Sequence, residues 1–198
     1  METKTKTLTL AGIFTALVFL LAMTPVGLIP LGFLNLTIVH IPVIIGTIVL
    51  GWKMGLLLGA AFGLASALSA FGLALTAPSG LSVLLIAQKP FGPFAVIAMC
   101  ILPRLLIPIT TYGVYSLLKT KSQVLAIAIA AIVGSLTNTV GYLGIMGGLF
   151  HFYGMWDKFA APILSVTILI AVSAEATAAA IISAPVGKQL VKYRNIEN

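Results

Sequence analysis

Two ionisable side chains stand where an apolar chain has least use for them. Arg104 interrupts MCILPRLLIPITTYGVY, and Glu175 interrupts ILIAVSAEATAAAIISA. Each lies roughly 15–20 Å along a helix from its outer end, at 1.5 Å per residue. A charged side chain near the centre of a membrane helix costs about 2.5–3.5 kcal/mol to insert, so each needs a partner or a wet cavity. The simplest expectation is an ion pair between Arg104 and Glu175 across a helix contact. The alternative is that Arg104 faces a pocket and its planar fork holds an anionic ligand, a carboxylate by preference. Both hold if the pair forms the pocket floor.

Further polar groups gather in GSLTNTVGYLG, where Ser135, Asn138 and Tyr142 recur three and four apart and share one helical face. Thr137 and Thr139 turn elsewhere. Bonding between neighbouring helices is the plain reading of such groups, and Asn138 is the one most readily assigned to a ligand. His40 precedes Pro42, a residue that removes a helical hydrogen bond and opens the backbone. A histidine so placed reads first as a structural donor and second as a proton carrier.

Catalytic and energy-coupling motifs are missing. The sequence contains no GxxxxGK[ST], HExxH or GxSxG, and its two histidines are far apart. No metal or other cofactor is expected, and no catalytic residue. The single cysteine, Cys100, sits in an apolar stretch and offers neither a disulfide nor a thiolate metal site.

The elements that position these groups must be membrane helices. Of 198 residues, 60% are hydrophobic and 8% charged, with a mean hydropathy of +1.17, whereas soluble domains carry roughly 25% charged residues. The net charge of +7 does not indicate nucleic-acid binding, because the cations sit at the ends of apolar segments and form no stripe. METKTKTLTLAGIFTALVFLLAM has the look of a signal peptide but reads as a first span, since further apolar segments follow and no convincing cleavage site is present.

Six segments suit a bilayer core of ~30 Å: about 8–23, 33–50, 54–71, 94–118, 124–150 and 162–187, the last opening on Pro162. The expected fold is therefore all-α, a compact bundle of six transmembrane helices forming a single membrane domain over 1–198. Six spans place both termini on one side. That side is cytoplasmic by its excess of basic residues: Lys4, Lys6, Lys53, Lys119, Lys121, Lys188, Lys192 and Arg194 lie inside, against Lys89 and Lys158 outside. The outer connection 72–93 is long and apolar, either a packed loop or interfacial helix, or a lid over an outward-facing pocket. The third outer connection, HFYGMWDKFAA, carries Tyr153 and Trp156 as interfacial anchors. Gly55, Gly59 and Gly63 line one face for close helix approach, and Gly12 with Ala16 repeats that spacing in the first span.

Four stretches, in order along nearly the whole chain, resemble one family. NLTIVHIPVIIGTIVLGWKMGLLLGAAFGLASAL, KPFGPFAVIAMCILPRLLI, GSLTNTVGYLG and SAEATAAAIISAPVGKQL are similar to helices two to six of the substrate-binding S components of energy-coupling factor (ECF) vitamin transporters. The resemblance implies a six-helix bundle in the bacterial cell membrane that captures a vitamin near its outer face, under the first and third loops. It also implies partners: a transmembrane coupling protein and two ABC-type ATPases, which supply the missing ATP chemistry. The family's first helix usually docks through Ala-x-x-x-Ala; here the pattern is Gly12-x-x-x-Ala16, which preserves close approach.

TIVHIPVIIG looks most like the pantothenate branch. Pantothenate has a carboxylate for Arg104 or Lys89, and hydroxyl and amide groups for Asn138 and Asn35, with His40, Tyr142 and Glu175 as further candidates for the site. Hydroxymethylpyrimidine, pyridoxine, riboflavin and folate are the alternative vitamins. A proton-coupled secondary carrier, titrating Glu175 or His40 and working without partners, is the alternative mechanism.

Overall fold

A computed structural model describes residues 2–196 of the chain. The side chains of Lys4, Lys6 and Arg194, counted above as inner cations, lie outside the described residues, as does that of Pro162. Eight helices and one small hairpin follow in order: α1 (Glu2–Ala22), β1 (Leu28–Pro30), β2 (Asn35–Thr37), α2 (His40–Leu50), α3 (Trp52–Ala70), α4 (Gly80–Ile86), α5 (Gly92–Leu118), α6 (Gln123–Phe152), α7 (Trp156–Ile163) and α8 (Val166–Ile196).

The exterior is apolar, as a lipid-facing surface must be. Leu8, Phe94, Leu117, Val140 and Leu169 all point outward and are largely exposed. Among the described residues, four helices are long and apolar enough to cross a membrane: Trp52–Ala70, Gly92–Leu118, Gln123–Phe152 and Ile168–Tyr193. The apolar parts of α1 and α2, Thr7–Ala22 and His40–Leu50, are shorter.

The segment expected as one span over 33–50 divides in two. Its first part closes an antiparallel hairpin, Leu28 opposite Thr37 and Pro30 opposite Asn35, through a turn that uses Gly32 at φ 87°. Only from His40 onward is the chain helical, for 11 residues or about 16 Å. Pro42 is the third residue of α2. Its missing N–H falls in the first turn, where no helical acceptor exists, so the expected opening of the backbone does not occur. The last long helix starts at Val166, and Pro162 belongs to the preceding short helix α7.

The connection 72–93 carries α4, capped by Ser79, whose hydroxyl accepts from the Ser82 N–H at 3.3 Å. It is sewn to the end of α1 and to the hairpin by main-chain bonds: Leu75 N–H to Met23 O (2.9 Å), Gly80 N–H to Gly32 O (3.0 Å) and Leu81 N–H to Phe33 O (3.2 Å). These bonds satisfy backbone that would otherwise be stranded in an apolar setting.

Packing separates into two apolar clusters. One gathers Val18, Ile44, Leu58, Ile107, Ile127 and Ala179; the other gathers Leu85, Met99, Cys100, Met146, Phe150 and Ile168. Along α5 the break falls between Cys100 and Ile107, and along α6 between Ala131 and Met146. Along α8 it falls between Ile168 and Ala179. Arg104, Asn138 and Glu175 occupy those three breaks, so the polar side chains lie in one layer between the clusters.

Candidate binding pocket

Arg104 owes its position to neighbours in sequence and across the α3–α5 contact. Pro103 has no N–H, so the Met99 carbonyl four residues earlier has no helical donor. The Arg104 side chain fills that place, donating from Nη1 to Met99 O at 3.3 Å. Pro108 in the same way frees the carbonyl of Arg104 itself. Against that carbonyl lies Gly59 of α3, where an added Cβ would strike the Arg104 oxygen. One turn on, a Cβ at Gly63 would come 3.0 Å from the Ile101 Cα. The small face of α3 therefore brings the two backbones together, as its spacing predicts.

The guanidinium is held between two rings, 4.5 Å from the Tyr142 centroid and 5.1 Å from that of Phe62. Arg104 is only 5% exposed, and its Nε has no hydrogen-bond partner among the described residues. Cation–π contacts at a desolvated site are worth about 2 kcal/mol each, which offsets part of the burial cost without neutralising the charge.

Glu175 is not the counter-ion. Its Oε1 accepts from the Thr37 N–H at 2.6 Å and its Oε2 from the Thr139 hydroxyl at 2.9 Å. The expected Arg104–Glu175 ion pair is thus replaced by two separate arrangements. Each carries one unneutralised charge, and both line the same pocket.

That pocket encloses a cavity of about 80 Å³ that opens in part to solvent. Its walls are the hairpin (Leu28, Leu34, Asn35, Thr37), α3 (Ser66, Ser69), the capped start of α4 (Ser79, Ser82), α5, α6 and α8. Asn138 and Tyr142 line it as their spacing suggests, and Asn35 joins them from the hairpin. Asn35 donates to Ala77 O at 3.2 Å, which leaves its Oδ1, like that of Asn138, without a partner among the described residues. A chain of hydroxyls, Ser79 to Ser82 (2.7 Å) and Ser82 to Tyr142 (3.2 Å), links the α4 cap to the ring over Arg104.

The remaining candidates fall elsewhere. His40 is wholly buried at the start of α2 and does not line the pocket. Lys89 is exposed beyond α4 and is also absent from the lining. Gly12 and Ala16 are exposed on α1, and a Cβ at Gly12 would meet nothing. Thr139, read from its spacing as turned away, lines the pocket and bonds Glu175. Residues 138 and 139 straddle the pocket because adjacent helical positions are only about 100° apart. The serines of α3 and α4 and Thr37 were not singled out, since hydroxyls on apolar helices commonly bond their own backbone.

The bundle, with its charged pocket between apolar clusters, can now be set beside known proteins. The profile of the family described as "ECF transporter, substrate-specific component" matches residues 6–190. The chain belongs to that family. This S component is also 31% identical over 168 residues to the pantothenic acid transporter PanT of Lactococcus lactis subsp. cremoris (strain MG1363). The match covers 80% of this chain and 79% of that one. As an S component with four long apolar helices, it is a multi-pass membrane protein and a transporter subunit.

Proposed function

We propose that this S component captures pantothenate at its outer face, in the pocket between the hairpin and the bundle, and delivers it inward with an ATP-driven coupling module. The observation that carries the reading is Arg104, a buried guanidinium lining the pocket with no carboxylate paired to it. A carboxylate ligand completes it through two charge-assisted hydrogen bonds. The free amide oxygens of Asn35 and Asn138 then accept from hydroxyl or amide donors, and pantothenate supplies both beside its carboxylate. The leucines of the hairpin face its dimethyl carbon. The name of the Lactococcus relative supports the same substrate.

In this reading the chain crosses the membrane six times, with α1 and α2 completing the four longer helices, and both termini are cytoplasmic. Exposed Lys53, Lys119 and Lys121 at the α2–α3 and α5–α6 turns, with Lys188 and Lys192 near the end of α8, support that orientation by the positive-inside rule. The hairpin and the 72–80 segment form the lid. The open face of Gly12 and Ala16 docks the transmembrane coupling protein, which carries the two ABC-type ATPases.

The test is equilibrium binding to the purified chain in nanodiscs, with pantothenate set against riboflavin, pyridoxine, hydroxymethylpyrimidine, thiamine and folate. Selective binding of pantothenate supports the proposal. Preference for pyridoxine, hydroxymethylpyrimidine or riboflavin, which lack a carboxylate, overturns the role given to Arg104. Uptake by cells that contain this chain and no coupling module overturns the ATP-driven mechanism.

A further inference from the structure

Two charges of opposite sign line one pocket without touching. Arg104 is held by Met99 O and two aromatic rings at the α3–α5–α6 side. Glu175 is held by Thr37 and Thr139 at the hairpin and α8 side. Both are buried, at 5% and 6% exposure, so solvent screens neither well. A carboxylate has about four acceptor positions, and the two protein donors take one on each oxygen, leaving room for hydroxyl donors from a ligand.

We infer that Glu175 is a specificity-determining residue, which makes the pocket bipolar and excludes any ligand that is anionic at both ends. The inference rests on the reading of the pocket as a pantothenate site. A ligand carboxylate goes to Arg104. The opposite end, which in pantothenate bears two hydroxyls, then lies toward Glu175 and donates to it. Phosphorylation of the primary hydroxyl removes that donor and sets a dianion beside a buried carboxylate. Reversing the ligand gives no relief, because its own carboxylate would then face Glu175. The site therefore separates the free vitamin from its phosphate monoester by charge.

Binding to the full-length chain in nanodiscs tests this with four probes: pantothenate, the phosphate monoester of its primary hydroxyl, the neutral acetate ester of the same hydroxyl, and the alcohol in which CH2OH replaces the carboxyl. On the wild-type chain the phosphate ester binds at least about 100-fold more weakly than pantothenate, from like-charge repulsion at low effective dielectric. The acetate ester, similar in bulk, loses only a hydrogen bond and weakens about tenfold. Glu175→Gln keeps the shape and narrows the gap between pantothenate and its phosphate ester at least about tenfold.

Equal rejection of the acetate and phosphate esters would assign the discrimination to size and overturn the inference, with no variant needed. So would a phosphate ester that binds within threefold of pantothenate, or a folded Glu175→Gln chain whose selectivity is unchanged. Failure of the wild-type chain to bind pantothenate refutes the parent reading and this inference together. Binding of the alcohol as tightly as pantothenate refutes the role of Arg104 and leaves the phosphate comparison to decide on Glu175.

Discussion

Replacing Arg104 by lysine keeps the charge and removes the plane. The guanidinium stacks at 4.5 Å from Tyr142 and 5.1 Å from Phe62, donates to Met99 O from Nη1, and retains Nε for the pocket. An ammonium on a flexible stem cannot reproduce two parallel bonds to a carboxylate while also reaching Met99. The loss of one charge-assisted hydrogen bond, at about 1.5–3 kcal/mol, is the main effect. Weaker stacking brings the total to about 2–3 kcal/mol, or roughly 30- to 150-fold in Kd at 1.4 kcal/mol per tenfold. Arg104→Ala goes further, by about 3–5 kcal/mol, since it also leaves a ligand carboxylate without a counter-charge. Titration calorimetry in nanodiscs reads both, with thermal unfolding of the ligand-free protein as the control for folding. Arg104→Lys should keep the ligand-free Tm within a few degrees while the shift produced by pantothenate shrinks. A folded Arg104→Ala chain that binds within threefold of wild type would refute the reasoning from burial to ligand.

Two further substitutions, with a third as control, address how the site is built. Gly59→Ala drives a methyl into the Arg104 carbonyl and should destabilise the protein by about 1–3 kcal/mol, seen as a lower Tm. Gly12→Ala, which meets open space, should leave the Tm unchanged. Pro103→Ala returns an N–H to the Met99 carbonyl and displaces the Arg104 side chain from it. Binding should weaken about threefold to tenfold even as α5 loses an interior proline, a stability–affinity divergence measurable on the same sample.

The long helices and the α3 glycine face were legible because a 3.6-residue period and small residues report directly on packing. Arg104, Asn138 and Tyr142 were legible because polar groups in an apolar run have few uses. The hairpin was not, because the stretch 28–37 is mostly apolar like the helix it precedes, and three-residue strands leave too short a trace for period alone to distinguish. The expected Arg104–Glu175 pair failed for a specific reason. The cost of a buried charge demands compensation, but not of a particular kind. Two aromatic faces and a carbonyl freed by Pro103 serve Arg104, while a backbone N–H and a threonine serve Glu175. Sequence spacing reveals the demand and leaves the partners open, since they come from four different elements.

The seam that joins residues 23–33 to the 75–81 segment has a consequence for how such a protein changes its cargo. Its bonds at Met23–Leu75, Gly32–Gly80 and Phe33–Leu81 join main-chain groups alone. The leucines that the hairpin presents inward take no part in those three bonds, whereas the Asn35 amide bonds Ala77 O across the same seam. Asn35 apart, the seam and the pocket lining are therefore written in separate alphabets, one of backbone and one of side chains. An engineer who keeps Asn35 can rewrite the second, residue by residue, for a new small molecule and leave the first as it stands.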